Sequence, residues 1–243
     1  MKLNNIPAIS GVLLGIFLAA ADYHINIPSA LCLLLSAILM QMLSDTCATA
    51  LAKKNAKTVY VLLIIASALG CLYLSFGALL KMESLVLMVI VYFSLRYATH
   101  FRITASPGTG DIYRFLLYGP AALYGTYFVC SHSFGSSMLL FPALTSGMFS
   151  ICVLSSVQTP VSDRSTGIYR ISLIAAGMIS MTVYSFLRIF DIKHFLFLLT
   201  LPLFVWACVM IVSRKEGLRT LLPYTVLLFT LLTCFGYIAF LFC

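Results

Sequence analysis

Polar side chains at helical spacing mark two short segments of an otherwise apolar chain. In the first, MQMLSDTCATALAKKNAK, Gln41, Asp45 and Thr49 are four residues apart, which places them on one face of a helix. A carboxylate within a membrane span costs about 2.5–3.5 kcal/mol on insertion scales, so it usually faces a cavity or a partner. Asp45 is therefore a candidate functional charge, and pairing with one of the lysines that follow it is the structural alternative.

The second segment, SSVQTPVSDRSTGIYR, follows a long apolar run. It combines hydroxyl and amide side chains with Asp163, Arg164 and Arg170, and arginine suits phosphate recognition well. The segment is either part of a catalytic site or a polar hinge between two helices. Asp111 and Arg114, at the start of another apolar run, are further residues that could join such a site.

The elements that must position these residues are membrane helices. The chain has 243 residues, of which 62% are hydrophobic and 9% charged, with a mean hydropathy of +1.06. A soluble domain has about 45–50% apolar and about 25% charged residues. The net charge of +8 does not indicate nucleic-acid binding, because no basic stretch is dense enough to form a phosphate-binding face.

Cysteine and histidine are spread along the chain rather than clustered. No two of the eight cysteines form a C-x-x-C pair, and nearly all lie within apolar runs, which is typical of small buried side chains. Each of the four histidines is near a different predicted helix end. The pattern argues against a disulfide framework, a zinc site or a histidine-based metal cluster.

Nine apolar runs are long enough to cross a hydrocarbon core of about 30 Å. Each must be helical, since lipid does not tolerate unpaired backbone groups and no alternating barrel pattern occurs. Because the connections are short, we expect one all-α transmembrane domain over residues 1–243. The predicted helices cover approximately 6–21, 28–52, 57–80, 83–100, 112–131, 137–159, 169–190, 193–213 and 220–242.

The first run also has features of a secretory signal peptide, with one lysine, an apolar core and an alanine-rich end. We favour a retained helix, because Pro7 and Gly11 suit a packed span. Cleavage would leave the rest of the topology unchanged.

Positive charges predict the orientation. With alternating loops, the 15 Lys and Arg residues divide into 12 on one side and 3, Lys81, Arg188 and Lys193, on the other. Cytoplasmic loops are enriched in Lys and Arg, so we expect the N-terminus in the cytoplasm and the C-terminus outside. A bacterial inner membrane is the expected location, and both polar segments then lie on its cytoplasmic side.

Four segments resemble those of a known family. They read NIPAISGVLLGIFLAA, ALCLLLSAILMQ, GTGDIYRFLLYGPAALYGTYFV and VLSSVQTPVSDRSTGIYRISLIAAG, and the likeness covers about residues 5–190 in order. The chain resembles the UbiA superfamily of membrane prenyltransferases, most closely its 1,4-dihydroxy-2-naphthoate polyprenyltransferase branch of menaquinone synthesis. The resemblance implies nine helices around a central cavity, and transfer of a polyprenyl group from its diphosphate to an aromatic acceptor. It also implies two Asp-rich signatures that hold Mg²⁺, whose charge stabilises the departing diphosphate.

The sequence departs from both signatures. Along the first, Ala48, Thr49 and Ala52 stand at the positions of Asn and the two Asp residues, and Asp45 falls one turn earlier. In the second, Thr159 replaces the first Asp.

What remains of the second signature is its later half. Asp163 and Arg164 persist, and Asp111 is a further acid at the start of the fifth predicted helix. The resemblance therefore implies a catalytically degenerate protein that binds an isoprenoid or quinone-like lipid.

Two alternatives remain open. An active prenyltransferase would use Mg²⁺ on Asp163, Asp111 and Asp45, and would hold the diphosphate with basic side chains. A small-molecule transporter would use Asp45 and Arg96 as gating charges, although a broken pair of helices is not evident. The candidate diphosphate-binding residues are Lys53, Arg102, Arg114, Arg164 and Arg170.

Overall fold

The computed structural model describes residues 6–23, 109–131, 133, 135–158, 164–188, 192–213 and 217–241. Every regular element within these ranges is a helix, and none of the described residues forms a strand. The prediction of an all-α protein is confirmed for this part of the chain. The predicted helices 28–52, 57–80 and 83–100 lie outside the described residues.

The described helices follow most of the remaining apolar runs closely. Four spans are long and apolar enough to cross a membrane, namely Ser137–Ser156, Ser165–Arg188, His194–Val212 and Thr220–Tyr237. They support an integral membrane protein. In chain order the elements are α1 (Ile6–Asp22), α2 (Thr109–Leu116), a π-helical turn (Leu117–Ala121), α3 (Ala122–Ser131), a 3₁₀ turn (Ser137–Leu139), α4 (Leu140–Gln158), α5 (Arg164–Arg188), a 3₁₀ helix (Ile192–Thr200), α6 (Leu201–Val212) and α7 (Leu218–Leu241).

Helix α4 is central to the described bundle. It packs most extensively against α5 and also contacts α1, α2, the π-helical turn and α7. Four phenylalanines join it to the C-terminal helices: the ring of Phe149 lies 5.0 Å from those of both Phe204 and Phe229, and Phe197 lies 5.3 Å from Phe229. Such aromatic pairs add about 0.5–1.5 kcal/mol each beyond their buried area.

Small residues let α1 approach α3 and the π-helical turn closely. Gly11, Gly15 and Ala19 are four residues apart, and a Cβ at Gly11 or Gly15 would lie 2.7 Å from the Tyr118 carbonyl or 2.8 Å from that of Leu123. Without a hydrophobic drive between helices in lipid, close contact through small residues is a main source of their association. Helix α1, which also packs along α7, is thus part of the bundle.

The π-helical turn between α2 and α3 accommodates Pro120, which has no backbone N–H to donate and clashes with a regular helical turn. The Ser146 hydroxyl of α4 donates to the Tyr118 carbonyl at 2.8 Å, so a backbone acceptor of the irregular turn is satisfied inside the protein. Gly119 allows this approach, since a Cβ there would lie 2.6 Å from the Ala143 carbonyl and 2.8 Å from the Gly147 Cα.

A second irregularity divides the span that the sequence predicts over 193–213. Its first part, Ile192–Thr200, is a 3₁₀ helix, and the α-helix begins only at Leu201. Pro202 stands in the first turn of α6, where its missing N–H leaves no intrahelical bond unmade. The 3₁₀ helix therefore gives way to the α-helix next to Pro202, a residue that has no backbone N–H to donate.

Candidate functional site

Three of the candidate site residues have side chains that the structure describes: Asp111, Arg114 and Arg170. Arg164 is the first residue of α5, and its side chain is not among those described. The other candidates lie outside the described residues, namely Asp45, Ala48, Thr49, Ala52, Lys53, Arg102, Thr159 and Asp163, as does Arg96.

Asp111 connects the start of α2 with the start of α5. One of its oxygens, Oδ1, accepts a hydrogen bond from Nη1 of Arg114 at 3.1 Å, across one turn of α2. The other, Oδ2, accepts a bond from the Tyr169 hydroxyl at 3.4 Å. We name Asp111, Arg114, Tyr169 and Arg170 the Asp111 cluster, which brings together two segments that are far apart in sequence.

Arg170 has a clear structural role in the Asp111 cluster. Its side chain is 1% exposed, and Nη2 donates to the Ser155 carbonyl at 2.9 Å. Ser155 is in the last turn of α4, whose final four carbonyls have no partner within the helix. A cation at a helix C-terminus also interacts favourably with the helix dipole. The Cys152 thiol of α4 in turn donates to the Arg170 carbonyl of α5 at 3.7 Å. Each of the two helices therefore supplies a side-chain donor to a backbone carbonyl of the other.

Among the described residues, the Asp111 cluster carries two guanidinium groups and one carboxylate: Arg114 is paired with Asp111, and Arg170 is near enough to interact with it electrostatically. Arg114 is 7% exposed, so its charge is held in a poorly hydrated position. Charges in such surroundings interact more strongly than in bulk water. The cluster is therefore suited to an electron-rich group such as a phosphate or a quinone carbonyl.

The described residues on their own do not fit a magnesium ion. Both oxygens of Asp111 are engaged by Arg114 and Tyr169. Within the described ranges, no three His, Cys, Asp or Glu side chains come close enough to hold a metal. No chemical step through a metal is derived from this site.

A second polar cluster lies at the opposite end of the bundle, where α1, α3, α5 and α7 meet. Arg188 donates to both Asp22 and the Tyr184 hydroxyl, and the Tyr127 hydroxyl donates to Asp22 Oδ2 at 2.7 Å. The guanidinium carbon of Arg188 also lies 5.8 Å from the Tyr184 ring centre and 5.5 Å from that of Tyr237. We name Asp22, Tyr127, Tyr184, Arg188 and Tyr237 the Arg188 cluster.

Sequence reasoning did not single out the Arg188 cluster. One signal was present: Asp22 ends the first predicted helix on the side of the membrane to which the charge pattern assigns Arg188. Two opposite charges at the same membrane face tend to form an ion pair with each other. The tyrosines had no such signal, since apolar helices commonly end in aromatic residues.

Comparisons with known proteins add no identification: no protein-family model matches the chain, and no curated protein matches it.

Proposed function

We propose that this chain is a UbiA-like membrane protein that binds an isoprenoid or quinone-like lipid, with the polar head of the lipid at the Asp111 cluster. The observation that carries the proposal is the 3.4 Å hydrogen bond between Tyr169 and Asp111, residues 58 apart in sequence. One belongs to GTGDIYRFLLYGPAALYGTYFV and the other to VLSSVQTPVSDRSTGIYRISLIAAG. In the proposed family relationship these two segments share one site, and their contact here supports it.

The charge of the Asp111 cluster supports an electron-rich head. Arginine offers several N–H donors in a fixed planar arrangement, which suits phosphate oxygens and also carbonyl oxygens. Arg114 lies on α2 and is paired with Asp111, so a head group at Asp111 would lie next to the Arg114 guanidinium. The apolar helices around the cluster would enclose the lipid tail.

We further propose that the ordinary metal-dependent prenyl transfer of the family has been lost. Departure of a diphosphate requires metal charge, which in turn needs several carboxylate ligands. Thr49, Ala52 and Thr159 stand where the family signatures have Asp. Asp111, the described carboxylate of the site, has both oxygens engaged.

A bacterial inner membrane with a cytoplasmic N-terminus is the proposed setting. The 12-to-3 division of basic residues supports this orientation. It places the Asp111 cluster at the cytoplasmic face and the Arg188 cluster at the outer face.

Binding of defined lipids to the purified full chain tests the proposal. Geranylgeranyl diphosphate and a short-chain menaquinone are the probes, and the midpoint of thermal unfolding is the measurement. A ligand at 100 times its Kd stabilises the folded state by about 2.7 kcal/mol, so a saturable rise in the midpoint is expected for at least one probe. No rise with either probe would contradict lipid binding.

Matched tyrosine variants locate the binding site. Tyr169→Phe removes one hydroxyl from the Asp111 cluster, and a hydrogen bond contributes about 0.5–1.5 kcal/mol, so we expect affinity to fall about two- to thirteenfold. Tyr224→Phe removes a hydroxyl from an exposed position on α7 and should leave affinity unchanged. Equal effects of the two substitutions would contradict the assigned site.

Prenyl transfer to dihydroxynaphthoate in the presence of Mg²⁺, followed with radiolabelled diphosphate, would contradict the proposed loss of catalysis.

A further inference from the structure

A nine-residue 3₁₀ helix precedes α6. It covers Ile192–Thr200, with the sequence IKHFLFLLT, and we name it the 192–200 segment. Runs of 3₁₀ helix longer than three or four residues are uncommon, because their hydrogen bonds have poorer geometry than those of an α-helix. The segment contains no Gly or Pro, and three of its nine residues are leucine, a good α-helix former. Its local sequence therefore does not account for the 3₁₀ form.

The buried side chains of the 192–200 segment recur at every third residue. His194, Phe197 and Thr200 are each at most 2% exposed, whereas Leu198 and Leu199 are 38% and 67% exposed. Residues three apart eclipse each other in a 3₁₀ helix, so the three buried side chains share one face. In an α-helix the same three would spread over about 120°. The burial pattern thus matches the 3₁₀ form and not the α form.

Helix α7 supplies most of the packing against this face. The centre of the His194 ring lies 4.4 Å from that of Tyr237. One turn further along, the Phe197 ring lies 5.3 Å from that of Phe229. From α5, the Ser185 hydroxyl donates to the His194 carbonyl at 3.4 Å. Contacts with two other helices therefore stabilise the 3₁₀ form.

Pro202 separates the 192–200 segment from the rest of α6. In a continuous α-helix residue 202 would donate its N–H to the Leu198 carbonyl, but proline has no N–H and its ring clashes with that carbonyl. The span is therefore jointed at this point whichever form the segment takes. The segment can change form while α6 stays in place.

We propose that the 192–200 segment is a conformational switch, which is a 3₁₀ helix while Tyr237 packs on His194 and becomes an α-helix once that contact is lost. The rise per residue is about 2.0 Å in a 3₁₀ helix and about 1.5 Å in an α-helix, so the change draws Ile192 about 4 Å closer to Thr200. It also turns His194 by about 120° about the helix axis, away from Tyr237. Because Tyr237 belongs to the Arg188 cluster, a rearrangement of that cluster changes the length of this span.

Two pairs of spin-labelled amino acids distinguish the two forms in the full chain. Labels replace Phe195 and Leu198 in the three-apart pair, and Phe195 and Leu199 in the four-apart pair, so any perturbation at Phe195 is common to both. In a 3₁₀ helix the three-apart labels share a face about 6 Å apart along the axis, whereas the four-apart labels are about 8 Å apart and about 120° around it. In an α-helix the axial separations are about 4.5 Å and 6 Å, and both pairs lie within about 60° of one face. Electron paramagnetic resonance measures the distances between the labels.

We expect the three-apart distance to be clearly the shorter one when no other residue is changed. Tyr237→Leu removes the ring that packs on His194 and leaves the 192–200 segment itself unaltered. It should lengthen the three-apart distance and shorten the four-apart distance until the two are similar. Ser185→Ala removes a single hydroxyl and should shift both distances in the same directions by a smaller amount. Phe235→Leu, at an exposed position of α7, is the matched control and should leave both unchanged.

Three results would overturn the proposal. Similar distances without any further substitution would show that the segment is already an α-helix. Distances of the 3₁₀ type that persist in both Tyr237→Leu and Ser185→Ala would show that these contacts do not decide the helix type, and Ser185→Ala alone decides this if Tyr237→Leu does not fold. A shift in Phe235→Leu as large as that in Tyr237→Leu would assign the change to a general loosening of α7. The switch does not depend on lipid binding at the Asp111 cluster.

Discussion

At the residue scale, the Arg188 cluster explains how a cation is accommodated at the end of a membrane helix. Arg188 is paired with Asp22, its guanidinium group contacts two tyrosine rings, and Tyr127 donates to the same carboxylate. Cation–π contacts and a charged hydrogen bond both compensate for lost hydration. The pair joins α1 to α5 across 166 residues of sequence.

Breaking this pair should destabilise the bundle. Asp22→Asn and Arg188→Gln should each lower the free energy of unfolding by about 1.5–3 kcal/mol at most, the range for hydrogen bonds to charged groups. The two side chains are 30% and 17% exposed, so the loss should be below that of a fully buried pair.

A double-mutant cycle, followed by chemical unfolding in detergent, measures the coupling. Because the residues are in contact, the double variant should lose less than the sum of the single losses. Strict additivity would show that the pair does not contribute as a unit.

At the element scale, close helix contacts depend on positions that have no side chain. Gly119 lies against the backbone of α4, with the Ala143 carbonyl 2.6 Å from where a Cβ would be. Backbone atoms cannot move aside as a flexible side chain can. The π-helical turn and α4 would have to separate to admit a methyl group.

Gly119→Ala should therefore lower the free energy of unfolding by about 1–3 kcal/mol, the usual range for overpacking. Gly217→Ala is the matched control, because a Cβ there would meet only the end of the Met210 side chain at 3.4 Å. We expect its effect to be within about 0.5 kcal/mol of zero. Thermal unfolding of both variants in detergent compares them, and equal midpoints would refute the close-packing explanation.

The apolar runs of the sequence predict most of the described helices, but not their irregularities. The span Leu140–Gln158 follows the predicted 137–159 closely, because an apolar run in lipid can only be helical. The helix α5, however, begins at Arg164 rather than at 169, so part of the polar segment is helical. The hydroxyl and charged residues there suggest a loop, either catalytic or a hinge, although polar residues are also favoured at the start of a helix.

The Asp111 cluster shows which contacts sequence can and cannot provide. The contact between Arg114 and Asp111 is local, since the two residues are one helical turn apart. The contact of Asp111 with Tyr169 depends on how α2 and α5 pack, which no local pattern encodes. The predicted topology and the family resemblance suggest one site for the two segments, but neither predicts this contact.

At the scale of the whole molecule, two polar clusters bracket an apolar layer. From Tyr169 to Arg188 along α5 the helical rise is about 28 Å, close to the thickness of a hydrocarbon core. Each cluster then lies near a membrane surface rather than at the bilayer centre, where a charge is most costly.

This arrangement gives a prediction of topology. Alkaline phosphatase fused after Cys243 should be active in a bacterial host, because the C-terminus is proposed to lie outside, and a fusion after Arg214 should be inactive. Reporter activity measures each orientation. The reverse pattern would place the Asp111 cluster at the outer face and contradict the proposed orientation.

The location of the lipid head is the central claim, and photolabelling tests it most directly. A geranylgeranyl diphosphate analogue that carries a diazirine beside its diphosphate is bound to the full chain and irradiated. The labelled peptides are then identified by mass spectrometry. We expect saturable labelling of peptides that contain Asp111 or Tyr169, reduced by unlabelled lipid and by Tyr169→Phe. Labelling confined to peptides that contain Asp22 or Arg188, or no saturable labelling at all, would contradict it.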